Sequence, residues 1–164
     1  MRIGTTINRT LAVFLSWSML LLWCAPVTST DLREALDQSK VKAAKKRGDT
    51  DLHIAASQGD STAILALIGK GADLNAVNDN DHTPLMMAIR QEQTDTAKLL
   101  IAHGAKADIP DEQGETALHH AIRAGQSDVV RALLEKGASP NKGNRAKETP
   151  LTLATEFDYP DIAL

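Results

Sequence analysis

Four heptapeptides share one frame: Thr50-Asp-Leu-His-Ile-Ala-Ala56, Thr83-Pro-Leu-Met-Met-Ala-Ile89, Thr116-Ala-Leu-His-His-Ala-Ile122 and Thr149-Pro-Leu-Thr-Leu-Ala-Thr155. Each threonine stands 33 residues after the one before it. A second element keeps the same step: Gly71-Ala72-Asp73, Gly104-Ala105-Lys106 and Gly137-Ala138-Ser139, each behind an apolar run of helical character and followed by Asn75, Asp108 or Asn141. Two independent motifs in register exclude coincidence, and a fixed period of this size marks a repeat array.

Within one period the residue types dictate local structure. Each motif threonine can cap a first helix through its hydroxyl, and Pro84 and Pro150 follow where a missing N–H costs nothing. Asp51 takes the same place in the first repeat and favours the positive helix end. Ser61, Thr94 and Ser127 are expected to cap second helices, whose buried stripes are Ile64/Leu67/Ile68, Leu99/Leu100/Ile101 and Val130/Leu133/Leu134. Gly71, Gly104 and Gly137 end those helices with a left-handed turn. One helix pair cannot bury its apolar face alone, so stability has to come from stacked neighbours.

These motifs resemble those of the ankyrin-repeat family, from about residue 45 to 164. The resemblance implies an all-α solenoid of stacked antiparallel helix pairs with β-turn fingers, divided at about 47–78, 79–111, 112–144 and a partial 145–164. It also implies that His53 and His119, in the motif's histidine position, tie neighbouring turns together, a link expected to be lost where Met86 takes that place. Family members bind partner proteins along a concave side made of the fingers and the inner face of the first helices. Carried over by position, the finger residues are Lys46, Arg47 and Asp49, then Asp79, Asn80 and His82, then Glu112, Gln113 and Glu115, then Arg145 and Glu148. On the first helices they are Ser57 and Gln58, Arg90 and Gln91, Arg123, and Glu156 with Phe157. Arg90, Arg123 and Phe157 stand out as residue types enriched at binding hot spots, though Phe157 is equally explained by packing on a following helix.

The two ends depart from the period. Arg2 and Arg9 precede the uncharged run Leu11 to Trp23, which is short for a membrane span, and Ala25 to Thr30 follow. This reads as a secretory signal over residues 1–29 cut after Ser29, with an uncleaved anchor as the rival reading and the periplasm or the medium as destination. Residues 30–46 are expected to form a polar capping helix; its run Lys40, Lys42, Lys45, Lys46 and Arg47 is either a solvated face or a contact for anionic lipid or an acidic partner. At the other end Tyr159 to Leu164 match the start of a second helix, so the fourth repeat lacks most of that helix. A poorly capped stack and a shortened version of a longer protein are both open.

Composition narrows function further. The leader region holds Trp17, Trp23 and the only cysteine, Cys24, together with two of the 18 basic residues and none of the 21 acidic ones. The remainder is therefore acidic, has only Phe157 and Tyr159 as aromatics, and offers no thiolate nucleophile or Cys-type zinc site. It also lacks the basic footprint and stacking rings of nucleic-acid binders. No Gly-x-Ser-x-Gly elbow or phosphate-cradling loop is present, and His119 and His120, adjacent on a helix, point too far apart to chelate one metal. His82 and His103 are expected to be isolated and solvated. Neither a cofactor nor a metal is expected, and an enzyme would require His, Asp and Glu to converge on the concave face. The sequence thus predicts a monomeric, non-catalytic binding protein that acts on another protein, with no membrane attachment after signal cleavage. It would be an accessory or chaperone-like partner of an envelope enzyme, an immunity-type inhibitor of a toxin, or a secreted effector.

Overall fold

A computed structural model describes Gln38, residues 40–45 and residues 47–157. The expected leader, most of the expected capping helix, Lys46 and Tyr159 lie outside the described residues. The chain divides into two units, Met1–Lys40 and Val41–Leu164, and the second holds the repeats. It contains α1 (Asp51–Gln58), α2 (Ser61–Gly69), α3 (Pro84–Arg90), α4 (Thr94–Ala102), α5 (Ala117–Arg123), α6 (Ser127–Glu135) and α7 (Pro150–Glu156). Residues 41–45 are helical as well, with Ala44 buried and Lys42 and Lys45 exposed. No strand occurs among the described residues, so the all-α expectation holds.

The first helices α1, α3, α5 and α7 pack in a row, each on the next, while α2, α4 and α6 form a second row behind them. At seven to nine residues each, these helices are too short to persist alone in water. Leu52, Leu85, Leu118 and Leu153, one per repeat, are at most 2% exposed and form the spine of the core. The second-helix stripes enter the same core through Ile64, Leu100, Ile101, Val130 and Leu133, with Leu67, Ile68, Leu99 and Leu134 half-buried at its border. Among the described residues no helix is long and apolar enough to cross a membrane.

Three of the four threonine caps form as expected, while the Thr116 hydroxyl makes no cap bond and lies 2.9 Å from His119 Nδ1 instead. The hydroxyls of Thr50, Thr83 and Thr149 accept the backbone N–H groups of His53 (3.4 Å), Met86 (3.3 Å) and Thr152 (3.1 Å). Pro84 and Pro150 open their helices. The expected caps of the second helices are one residue off. Ser61, Thr94 and Ser127 are the first residues inside α2, α4 and α6, and the capping places belong to Asp60, Gln93 and Gln126. Asp60 fills its place well, accepting from Thr62 N (3.1 Å) and Ala63 N (3.0 Å); the Thr62 hydroxyl (2.6 Å) first, and then these amides, hold its carboxyl below the usual carboxylate range. The glutamines make no cap bond; Gln126 instead reaches across to donate to the Ile89 carbonyl of the preceding repeat (2.7 Å). At the far ends, Gly71, Gly104 and Gly137 have φ of 79°, 92° and 85°. An added Cβ would meet nothing within 4 Å at any of them, so the demand for glycine there is purely conformational.

Candidate functional site

The finger and first-helix face is built by repetition. Asp79 N donates to the Arg47 carbonyl (3.0 Å), Glu112 N to Asn80 (3.4 Å) and Arg145 N to Gln113 (2.9 Å), so consecutive fingers are laced backbone to backbone. Inside each finger one short polar side chain holds the turn. Asn78 Oδ1 accepts from Asn80 N and His82 N, both at 3.0 Å; Asp111 Oδ1 accepts from Gln113 N (2.9 Å) and Glu115 N (2.8 Å); Asn144 Oδ1 accepts from Ala146 N (3.0 Å) and Glu148 N (2.9 Å). This is the Asx-turn bond that suits Asn and Asp alike. The other atom of the group then faces the neighbouring repeat, and there the two residue types differ.

At the first junction Asn78 Nδ2 donates to Asp49 Oδ1 (2.6 Å), pairing a buried carboxylate with an amide. At the third, Asn144 Nδ2 donates to Glu148 Oε2 (2.9 Å) and Glu115 Oε1 (3.3 Å). Arg123 completes that group by bridging Glu148 (2.7 Å) and Glu115 (3.0 Å). At the middle junction the turn residue is Asp111, whose outward atom is the acceptor Oδ2. His120 Nε2 donates to it at 2.8 Å, and His82 Nε2 lies 3.8 Å away. The His82 and His120 rings meet edge to face with centroids 6.0 Å apart, and Arg90 Nη1 donates to His82 Nε2 at 2.6 Å. Burial and the Arg90 guanidinium both keep His82 below its ordinary pKa.

The structure therefore overturns the expectation that His82 is isolated and solvated: it is buried, because the finger folds it back over α3 and α5. His120, Asp111 and His82 form the convergence of His and Asp that the sequence had not revealed. Asp111 had no role in the sequence reading; aligning the repeats by their turn residues Asn78, Asp111 and Asn144 would have singled it out. His103 is exposed, as expected.

The other predicted positions divide by exposure. Asp79, Asn80, Glu112, Gln113 and Arg145 are exposed at the finger tips, and Gln58, Arg90, Gln91, Arg123, Glu156 and Phe157 at the ends of the first helices. Ser57 is half-buried and spends its hydroxyl on the Ile54 carbonyl (2.8 Å). Asp49 is buried, and Glu115 and Glu148 are half-buried in the networks described, so these three are structural before they are contacts. Arg47, Asp49, Asn80, His82, Arg90 and Gln91 share the lining of a small cleft of about 160 Å³. A larger cleft of about 570 Å³ lies among the turns that follow α4 and α6, lined by Ile101, Pro110, Leu133 and Ala138 among others, away from these titratable groups.

The motif histidines behave as the sequence predicts. His53 takes the Thr50 N–H on Nδ1 (3.2 Å) and donates from Nε2 to the His82 carbonyl (2.8 Å). His119 repeats this with Thr116 N (3.1 Å) and the Glu148 carbonyl (3.2 Å). Burial holds both rings below their ordinary pKa. In the second repeat Met86 Sδ accepts from Thr83 N (3.5 Å), which keeps the local half of the arrangement. A thioether has no proton to give, so the bond to the next repeat is lost as expected.

Comparison with known protein families matches residues 52–144 to ankyrin repeats in three copies. No curated protein matches the chain. The family is generally a non-catalytic module for binding other proteins. With that match spanning more than half the chain and the stacked helix pairs in place, the protein belongs to the ankyrin-repeat family.

Proposed function

We propose that the chain is exported, loses residues 1–29 by cleavage after Ser29, and serves in the cell envelope as a non-catalytic accessory protein. It binds one partner protein through its finger tips and the adjoining first-helix ends, in the manner of a chaperone-like protector of an envelope enzyme. The observation that carries the binding surface is the division of labour within that face. Backbone bonds between fingers and the Asn78, Asp111 and Asn144 turns fix the scaffold, while the tip side chains Asp79, Asn80, Glu112, Gln113 and Arg145 remain exposed. A rigid scaffold that presents free polar side chains binds without a large ordering cost. The uncharged run Leu11 to Trp23 after Arg2 and Arg9 supports export.

The test is affinity capture from an envelope extract, repeated with variants of the identified partner contact. Glu112→Lys combined with Arg145→Glu is expected to weaken capture of the partner at least tenfold, and Arg131→Ala on α6 to leave it unchanged. Equal capture by the finger variant, with loss on substitution along α2, α4 or α6, would overturn the assignment. N-terminal sequencing of the exported protein checks the cut: Thr30 as first residue is expected, and an intact Met1 contradicts it.

A further inference from the structure

We infer that His82, Asp111 and His120 form a binding site for a divalent first-row transition ion of the zinc class, held by two imidazoles and one carboxylate. Each of the three contributes one ligand atom, and these atoms lie within 4.8 Å of one another. A tetrahedral zinc site with ligand bonds of about 2.0 to 2.1 Å needs its ligand atoms about 3.3 Å apart. The observed separations of 2.8 Å (His120 Nε2 to Asp111 Oδ2) and 3.8 Å (His82 Nε2 to Asp111 Oδ2) bracket that value. Side-chain movements of an ångström or less close the geometry around an ion and leave a fourth position for water or a partner's ligand.

The surroundings are those of a built site. Asp111 is fixed by the two loop amides on Oδ1, so that Oδ2 is aimed at both rings, and its side chain is only 1% exposed. The imidazoles are 9% and 12% exposed, enough for an ion to enter. His82 already presents the lone pair of Nε2, which now accepts from Arg90. The guanidinium thus stands where a metal would, on a side chain that is exposed and can swing aside. His120 donates from Nε2 in the metal-free protein; on loading, that nitrogen gives its lone pair to the ion and the ring proton moves to Nδ1. Glu115 Oε2 faces that nitrogen from 3.9 Å, and a movement of about an ångström would bring it within hydrogen-bond distance, the carboxylate–histidine arrangement that orients metal ligands elsewhere.

The other repeats supply substitutions that the fold already uses. Asn78 and Asn144 stand where Asp111 does, and Met87 stands where His120 does. Asp111→Asn and His120→Met therefore remove a ligand each while keeping residue types that the turn and the helix accept. Zinc(II) titration of the purified, untagged protein by calorimetry, with cobalt(II) absorption as a report on coordination, is expected to show one saturable site per chain. Asp111→Asn and His120→Met should each weaken it by about tenfold or more. Arg90→Gln should tighten it, because the competing cation is gone. Circular dichroism of each variant confirms the helical fold before titration. Uptake by the parent no stronger than that of Asp111→Asn, or unchanged uptake in both ligand variants, would overturn the site. So would weaker binding by Arg90→Gln, since the arginine would then be helping to hold the ion.

Discussion

The first and middle finger junctions occupy the same place in successive repeats, yet one is an amide on a carboxylate and the other a carboxylate on two imidazoles. Asn78 and Asp111 both hold their turns through Oδ1, so the turn is indifferent to which residue is present. The outward atom is what differs: a donor facing Asp49 in one case, an acceptor facing His120 and His82 in the other. A repeat array thus keeps its scaffold constant and varies its chemistry at a single atom. The comparison also says which substitutions should be tolerated at one junction and not at the other.

The largest effect is expected from forcing the middle solution on the first junction. Asn78→Asp places a second carboxylate about where Nδ2 now sits, 2.6 Å from buried Asp49 Oδ1. Such a pair cannot stay doubly ionised, and a loss of about 3 kcal/mol at neutral pH is expected from denaturant unfolding. The paired carboxyls would have a raised pKa in the folded state, so the deficit should shrink as the pH falls through their range. A loss that does not change with pH would break this reading.

Next in size is His119→Met, which gives the third repeat the arrangement of the second. It removes the donor to the Glu148 carbonyl and should cost about 2 kcal/mol. The reverse change, Met86→His, should gain about 1 kcal/mol by restoring the missing link to the next finger. Equal stabilities for all three proteins, measured by urea unfolding, would show that these links do not hold the stack. Asp111→Asn should cost about 1 kcal/mol, less than Asn78→Asp, because His120 can switch tautomer and accept from the new amide. Arg123→Ala should cost about 1 kcal/mol or less, and less still in high salt, since its bridges to Glu115 and Glu148 are partly exposed.

Sequence made the scaffold legible because each scaffold role has a residue type tied to it. A threonine before Pro-Leu, a glycine needing positive φ and a leucine per turn can be read at a 33-residue step without coordinates, although in the fourth repeat the leucine at that step, Leu151, is exposed and Leu153 takes its place in the core. The one-residue error at Ser61, Thr94 and Ser127 arose because these helices start with a hydroxyl residue just inside the cap, and two of the true caps, Gln93 and Gln126, make no capping bond. The middle cluster was not legible because its three members lie in different finger and helix positions, and only stacking brings them together. His82 departs from its expected exposure for the same reason: its neighbours in sequence, Asp79 to Asp81, are exposed, while its burial comes from the following repeat.

His53 adds a smaller, pH-dependent effect to the comparison. Burial lowers its pKa in the folded state, outweighing the His82 carbonyl and Asp49, which act in the other direction. The unfolded chain therefore binds a proton more readily, and the contribution of neutral His53 to stability is present above about pH 6.5 and is lost as the pH falls below it. His82 and His119 contribute to the same limb, so His53→Gln should make it shallower without abolishing it, and an unchanged limb would assign it to those two rings.

The central claim is that this protein works through its finger tips and first-helix ends, with the second helices as support. Hydrogen exchange of the protein alone and with its captured partner tests this most directly. Slowed exchange confined to residues 79–82, 112–115 and 145–148 and the ends of α3 and α5 is the result predicted. Slowing concentrated in α2, α4 and α6, with the fingers unchanged, would contradict it.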